Sequence, residues 1–418
     1  MVCNHFDDVE DVTMDPTPSA GPLAGLRVLE LGQLIAGPYC GQVLADFGAD
    51  VVKLEAPGPG DPMRKWGTIQ RGKSLSWAVI ARNKRCISAD LHSADGRALA
   101  ADLIARADVV IENFRPGTLE RLEIGYEAMA ERNGRVIYVR LSGYGQYGPY
   151  ANRAGYGSIG EAMGGLRYLT GEPDRPPSRI GVSIGDELAG LNGALGALLA
   201  LRAREKTGRG QVVDVSIYES VLAVSEALIS EYALAGVTRE RTGPVLPHVA
   251  PSNLYPTADG EHVVIAANQD TVFRRLAAAM DTRELATSPE YATHIARGER
   301  QAELDALISD WTRTQNTDAL LARLEDHGVP AGRLYRAADM LADPHFRARS
   351  SIVSVDDPTL GPIPMQNVTP QLSATPGRVR WPGGAHAADQ AAVLADWLGD
   401  QMAPSTAPSA PGADGKTA

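Results

Sequence analysis

Strand-like and helix-like stretches alternate through the first half of this chain, and that alternation constrains the fold more than any other feature. Leu26-Arg-Val-Leu-Glu-Leu31 reads as a strand, Gly37 to Phe47 as a helix and Asp50-Val-Val-Lys-Leu54 as a second strand, together one βαβ unit. A helix over about 94–106 leads into the strand Asp108–Glu112, and Arg135–Leu141 supplies another strand. Strands joined by helices pair in parallel and bury both faces, so the expected fold class is α/β: a Rossmann-like large domain with a mostly parallel sheet. The 418 residues exceed one ordinary core, which predicts a second, smaller α+β domain.

Composition sets the boundaries. Residues 1–20 and 401–418 are rich in Pro, Ser or acids and read as disordered tails. Between them the expected division is a large domain at 21–225, a small domain at 226–335, where short strands such as His262–Ala266 mix with amphipathic helices, and a Pro-rich return segment at 336–400 packing on the large domain.

A formal net charge of −11 argues against nucleic acid as a partner. The N-terminal residues show neither a basic nor an apolar signal region, and no run reads as long enough to span a bilayer, so the expectation is a cytoplasmic protein without membrane contact. Cys3, Cys40 and Cys86 lack metal or redox spacing and are expected to be free thiols. The eight histidines are scattered with no HExxH, so no metal site is expected. The basic run Arg82-Asn-Lys-Arg85, reinforced by Arg115, suits either the phosphates of a small polyanion or a solvated surface.

Several motifs carry two readings. The turn Gly32-Gln-Leu-Ile-Ala-Gly37-Pro38, with Glu55 ending the second strand, is placed like a dinucleotide loop and its ribose-binding acid. Its spacing is not GxGxxG, and Pro38 fits the first position of a helix. Gly181-Val-Ser-Ile-Gly185 matches GxSxG by letters, but Asp186-Glu187 opens a helix directly after it, so Ser183 reads as structural. His248 reads as a loop residue. The glycine-rich segment Arg153–Gly165 and the start of the helix at Asp186 say most about chemistry. Asp186 is either an N-cap or a reactive carboxylate at a helix N-terminus, where backbone N–H groups steady a developing oxyanion. Its helix sets Leu188, Leu191, Leu195, Leu198 and Leu199 on one stripe, and Gly190, Gly193, Ala194, Gly196 and Ala197 on a surface suited to close packing. It stops at Lys206-Thr-Gly-Arg-Gly210; the strand Gln211–Ile217 and a helix to about Leu234 follow.

These pieces resemble the family III CoA-transferases of the CaiB/BaiF type, which include formyl-CoA transferase, carnitine CoA-transferase and α-methylacyl-CoA racemase. The similarity runs from about Leu23 to Leu398 through Leu26–Gly32 with Ala36-Gly-Pro38, Gly48–Glu55, Asn83–Arg85, Glu112–Gly117, Gly143-Tyr-Gly-Gln146, Gly185-Asp186 and Lys206–Gln211. The resemblance implies Asp186 as nucleophile. It also implies a CoA site along Arg82, Asn83, Lys84, Arg85, Asn113, Arg115, Pro116 and Gly117, and an acyl pocket lined by Ile35, Gln146 and Tyr156. A CoA thioester would be substrate, with no permanently bound cofactor, and two copies of the chain would interlock as a homodimer.

Two positions refine the expectation. Tyr156 stands where the racemases have a histidine, and a phenol titrating near ~10 is a poor base at neutral pH. Ile35 stands where formyl-CoA transferase has glutamine, which argues against oxalate. The segments around Gly32–Pro38, Asp61–Trp66 and Ala154–Glu161 look more like the bacterial transferases that pass CoA from succinyl-CoA to dicarboxylates. Arg64, Arg167 and Arg179 are then candidates for a distal carboxylate. The alternatives are a 2-methylacyl-CoA racemase and a CoA-binding protein without catalysis.

Overall fold

The computed structural model describes residues 21–399, so the tails expected at 1–20 and 401–418 lie outside the described residues. The chain forms two compact units. The first takes in the chain up to Gly164, Val182–Ser225 and the chain from Arg349; the second is Gly165–Gly181 with Glu226–Ala348.

The first unit is built in chain order from β1 (Arg27–Glu30), α1 (Ala36–Asp46), β2 (Asp50–Glu55), β3 (Lys84–Ser88), α2 (Ala94–Ile104), β4 (Val109–Glu112), β5 (Ile137–Ser142), α3 (Gly157–Met163), α4 (Ile184–Thr207), β6 (Val212–Ser216) and α5 (Ile217–Leu222). Its six strands form one sheet in the order β3-β2-β1-β4-β5-β6, parallel at every pairing. The order reverses between β1 and β4, which opens a crevice beyond their carboxyl ends. Helix α1 begins at Ala36, so Pro38 is its third residue rather than its first, still within the turn whose N–H groups have no helical partner.

The second unit carries β7 (Ser252–Pro256), β8 (His262–Ala266), α6 (Asp270–Ala279), α7 (Gln301–Thr312), α8 (Thr317–Asp326) and β9 (Ala331–Arg333), with the antiparallel sheet order β9-β8-β7. Tyr255, Val263, Ile265, Phe273, Leu276, Leu304, Ile308, Leu320 and Leu324 fill its core. The helix expected to reach Leu234 is in fact two, α5 and Leu228–Ala235, and the boundary between units falls between them. The chain then rejoins the first unit as the hairpin β10 (Ile352–Asp357) and β11 (Gly361–Gln366) and the helix α9 (Gln390–Leu398).

Alternation along the strands divides the first unit's core in two. Leu29, Val52, Ile87, Val110 and Tyr138 pack with α2 and α9, while Val28, Val51, Val109, Ile137 and Val139 pack with α1 and α4. Helix α4 buries its small face: Gly185, Ala189, Gly190, Gly193, Ala194, Ala197 and Ala200 turn inward. A Cβ on Gly190 would fall 2.9 Å from the Ala36 carbonyl oxygen, and one on Gly196 2.4 Å from Val213 Cγ1. The leucine stripe faces outward, with Leu191, Leu195, Leu198 and Leu199 all exposed. By length and composition α4 is long and apolar enough to cross a bilayer, which corrects the reading that no run is. Its small-residue face nevertheless packs on the sheet and α1.

Candidate active site

Asp186 is the third residue of α4, and Ser183 holds the capping position without a side-chain capping bond. Asp186 is therefore not the N-cap. Its half-buried carboxylate lies against the backbone of Gly157, the first residue of α3: a Cβ there would sit 2.1 Å from Oδ2 and 2.7 Å from Cγ. Gly185 in turn packs on the Gly157 carbonyl oxygen and on Ile217 Cγ2, each 3.2 Å from its would-be Cβ. The Gly143 and Gly155 backbones approach as closely, 2.9 Å from a Cβ on Gly143 to Gly155 Cα. Four glycines thus let the turn before α3 close onto the carboxylate of α4.

The surroundings set the start of a helix, which favours an anion, beside partial burial, which opposes it. The first turn of a helix favours a carboxylate by ~0.3–1 kcal/mol. Burial raises the Glu187 carboxyl above its usual range, and burial followed by the charge of Glu187 raises the Tyr39 phenol. Tyr156, at the capping position of α3, is 67% exposed. The backbone N–H of Gln146 donates to the Asp214 carboxylate at 3.0 Å, and burial raises that carboxyl.

The turn after β1 meets the turn after β4 across the crevice. Asn113 Oδ1 accepts from the Gln33 N–H at 2.8 Å, and its Nδ2 donates to the Gln33 carbonyl at 2.7 Å. Ile35 is half-buried beside Met63, Trp77, Ile80, Ala81 and Cys86. Beneath this turn lies a buried charge network. Lys53 pairs with Glu30 at 2.9 Å and Asp61 at 2.8 Å, and Lys84 pairs with Glu30 at 2.8 Å. Glu55, in the ribose-acid position, is engaged by the Arg64 guanidinium at 2.7 Å and by the Asp61 N–H at 2.8 Å.

Several candidate residues occupy places the sequence did not suggest. Arg82, Asn83 and Lys84 are buried. Arg82 and Asn83 hold the Asp46 carboxylate at 2.6 and 2.7 Å, and Lys84 donates to the Pro38 carbonyl at 2.6 Å. Arg85 pairs with Asp50 and with Asp396 of α9, each at 2.6 Å. Phosphate binding by this cluster would require displacing those acids, so its expected role does not match its place. The run is instead the entry to β3, and its charges neutralise acids inside the unit. Arg64 is spent similarly, on Glu55, on the Gly384 carbonyl at 3.0 Å and on the face of Trp77 at 3.8 Å, which removes it as a reader of distal carboxylates. Arg115 is exposed and makes no ion pair among the described residues, beside half-buried Pro116 and Gly117, whose φ is 79°. Arg167 and Arg179 belong to the second unit.

Arg153 was missed as a candidate. It is exposed, lies 3.7 Å over the Tyr150 ring, and makes no ion pair among the described residues, four positions before Gly157. Its signal was its position within the glycine-rich segment. Cys40 and Cys86 are free, as expected, and both are buried; Cys3 lies outside the described residues.

The sequence profile of CoA-transferase family III matches residues 23–388. A succinyl-CoA–D-citramalate CoA-transferase from Chloroflexus aurantiacus is 58% identical over 379 residues, covering 90% of this chain and 94% of that protein. The β subunit of a succinyl-CoA–L-malate CoA-transferase from the same organism is 40% identical over 390 residues, covering 92% and 96%. Among solved structures, a CAIB/BAIF family protein from Brucella suis matches with a TM-score of 0.81 at 36% identity, covering 90% of this chain and 99% of that one.

Proposed function

The chain belongs to CoA-transferase family III, and from that premise we propose that it moves CoA from succinyl-CoA to a dicarboxylic acid of the citramalate or malate type, with Asp186 as the nucleophile. One observation carries the assignment: the Asp186 carboxylate is held in the first turn of α4 against a backbone that has no side chain at Gly157.

The reaction follows from what a carboxylate nucleophile makes. Asp186 Oδ adds to the thioester carbonyl, the C–S bond breaks, and an aspartyl–succinyl anhydride forms with CoA thiolate. The thiolate attacks the aspartyl carbonyl and expels succinate, leaving an aspartyl-CoA thioester. The acceptor carboxylate displaces CoA from it, and the thiolate then attacks the acceptor's carbonyl, restoring Asp186. Each intermediate is about as activated as the starting thioester, so no ATP is needed. The N-terminal turn of α4 supplies positive potential to the oxyanions. Arg115, exposed beyond β4 at the crevice, suits the CoA phosphates, and Ile35, Gln146 and Tyr156 suit the acyl pocket.

The protein is further proposed to act as a homodimer. The exposed leucines of α4 support this, because a stripe of large apolar side chains is favourable only when covered.

The test is mass spectrometry of thioesters formed from succinyl-CoA with D-citramalate, L-malate and oxalate, by the natural protein and by Asp186→Ala. A new dicarboxylyl-CoA from the natural protein, lost at least about 10³-fold in the variant, is the expected result. Full transfer by Asp186→Ala refutes the nucleophile. No thioester with either hydroxydicarboxylate refutes the substrate class.

A further inference from the structure

The turn after β1 is held almost entirely by side chains from elsewhere. Lys53 Nζ donates to the Gly32 carbonyl at 2.7 Å, Asp61 Oδ1 accepts from the Leu34 N–H at 3.2 Å, and Lys84 Nζ donates to the Pro38 carbonyl at 2.6 Å. Asn113 takes both polar groups of Gln33 and also fills the space beside Gly32 and Gly37, whose would-be Cβ atoms lie 3.2 Å from its Oδ1 and 3.4 Å from its Cγ. Leu34 has φ 62°, a left-handed conformation unfavourable to a leucine unless its surroundings impose it. The same turn leads into α1, whose Ala36 carbonyl touches α4 at Gly190, one helical turn from Asp186.

Asn113 differs from the other three because it lies in the turn directly after β4, across the point where the strand order reverses. In doubly wound sheets ligands enter at that crevice. Here its two sides are joined by a reciprocal amide pair, with Gln33, Leu34 and Ile35 half-exposed on one side and Phe114 half-exposed and Arg115 exposed on the other.

We propose that Asn113 is a positioning residue: by clamping Gln33 across the crevice it makes Gln33–Ile35 a fixed wall of the acyl site that keeps water from the aspartyl intermediates. This rests on the CoA-transfer reading above. Water that reaches the anhydride adds to a carbonyl and breaks the bond to the bridging oxygen, giving succinate and free Asp186 carboxylate. One released proton goes to CoA thiolate and the other to solvent, and the activated acyl group is lost.

The measurement is the ratio of hydrolysis to transfer, from free CoA against new acyl-CoA, with succinyl-CoA and D-citramalate. The natural protein is compared with Asn113→Ala and Asn113→Asp. The expected result is a ratio at least about 10-fold higher in both variants, since an aspartate still accepts from the Gln33 N–H but sets oxygen against its carbonyl. A merely structural role would lower Tm and leave the ratio unchanged, and that outcome overturns the proposal. Where Asn113→Ala does not fold, the near-isosteric Asn113→Asp decides alone. Absence of transfer by the natural protein refutes the functional reading and this inference with it, whereas intact transfer with an unchanged ratio refutes only the inference.

Discussion

Gly157→Ala separates the needs of the fold from those of the chemistry. The new methyl carbon would fall 2.1 Å from Asp186 Oδ2, whereas an ordinary carbon–oxygen contact is ~3.4 Å, so the carboxylate must swing by ~1.3 Å. Because the obstructing atoms end a side chain, the fold tolerates that movement. Gly157 has no positive φ and opens a helix, so alanine there adds up to ~1 kcal/mol of local stability. A displacement of about 1 Å at a reacting group costs on the order of 10²-fold in rate. The expected variant therefore keeps or raises its Tm while kcat for citramalyl-CoA formation falls ~10²–10³-fold, equivalent to ~3–4 kcal/mol in the barrier. Gly160→Ala serves as the contrast: its Cβ would meet Ile217 Cγ2 at 2.4 Å, within the packed core, and lowers Tm first. Scanning calorimetry and thioester mass spectrometry on the two variants give both quantities. A Gly157→Ala enzyme turning over within three-fold of the natural one would refute the placement of the nucleophile.

Two further perturbations read other parts of the molecule. Burial pushes the Glu112 carboxyl up to about 7, opposed by Arg140 and the Phe114 N–H. The folded chain thus keeps a proton that the unfolded chain has lost, so this group's contribution to stability falls as pH rises between about 4.5 and 7, by ~3 kcal/mol at most. Glu112→Gln should flatten that slope in urea titrations from pH 5 to 8; parallel slopes would show that the group does not titrate there. Leu195→Glu with Leu199→Glu places two carboxylates on the outward stripe of α4 and should lower the mass found by light scattering, while an unchanged mass would refute the proposed dimer contact through that stripe.

The parallel sheet was legible because apolar runs such as Asp108–Glu112 and Arg135–Leu141 leave little choice of element. Strand β3 was not, because Lys84-Arg-Cys-Ile-Ser88 opens with two cations, and buried cations look in sequence like solvated ones. The same ambiguity turned Arg82–Arg85 into an expected phosphate site. Membership of residues 165–181 in the second unit was equally hidden, since it depends on which distant residues they pack with. Asp186 could be singled out from neighbouring glycines, but its contact with Gly157 joins residues 29 positions apart and follows only from the packing of α3 on α4. The role of Asn113 needed the strand order itself.

The acids and lysines beneath the β1 turn also bear on how the sheet finds its alignment. Glu30 stands opposite Lys53 in the ladder between β1 and β2, and Lys84 begins the next strand out. Sliding β2 by one residue would turn Lys53 into the cluster of Val52, Leu54 and Ile104, away from both its acids. Sliding it by two would keep the face but separate the charges by a further ~6.6 Å, leaving ions buried without partners at several kcal/mol each. Apolar strands alone, rich in Val and Ile, would accept either shift at little loss. The buried pairs make the correct alignment the only one that both closes the sheet and neutralises its interior, so the register of the strands and the place of the turn after β1 are set by the same charges.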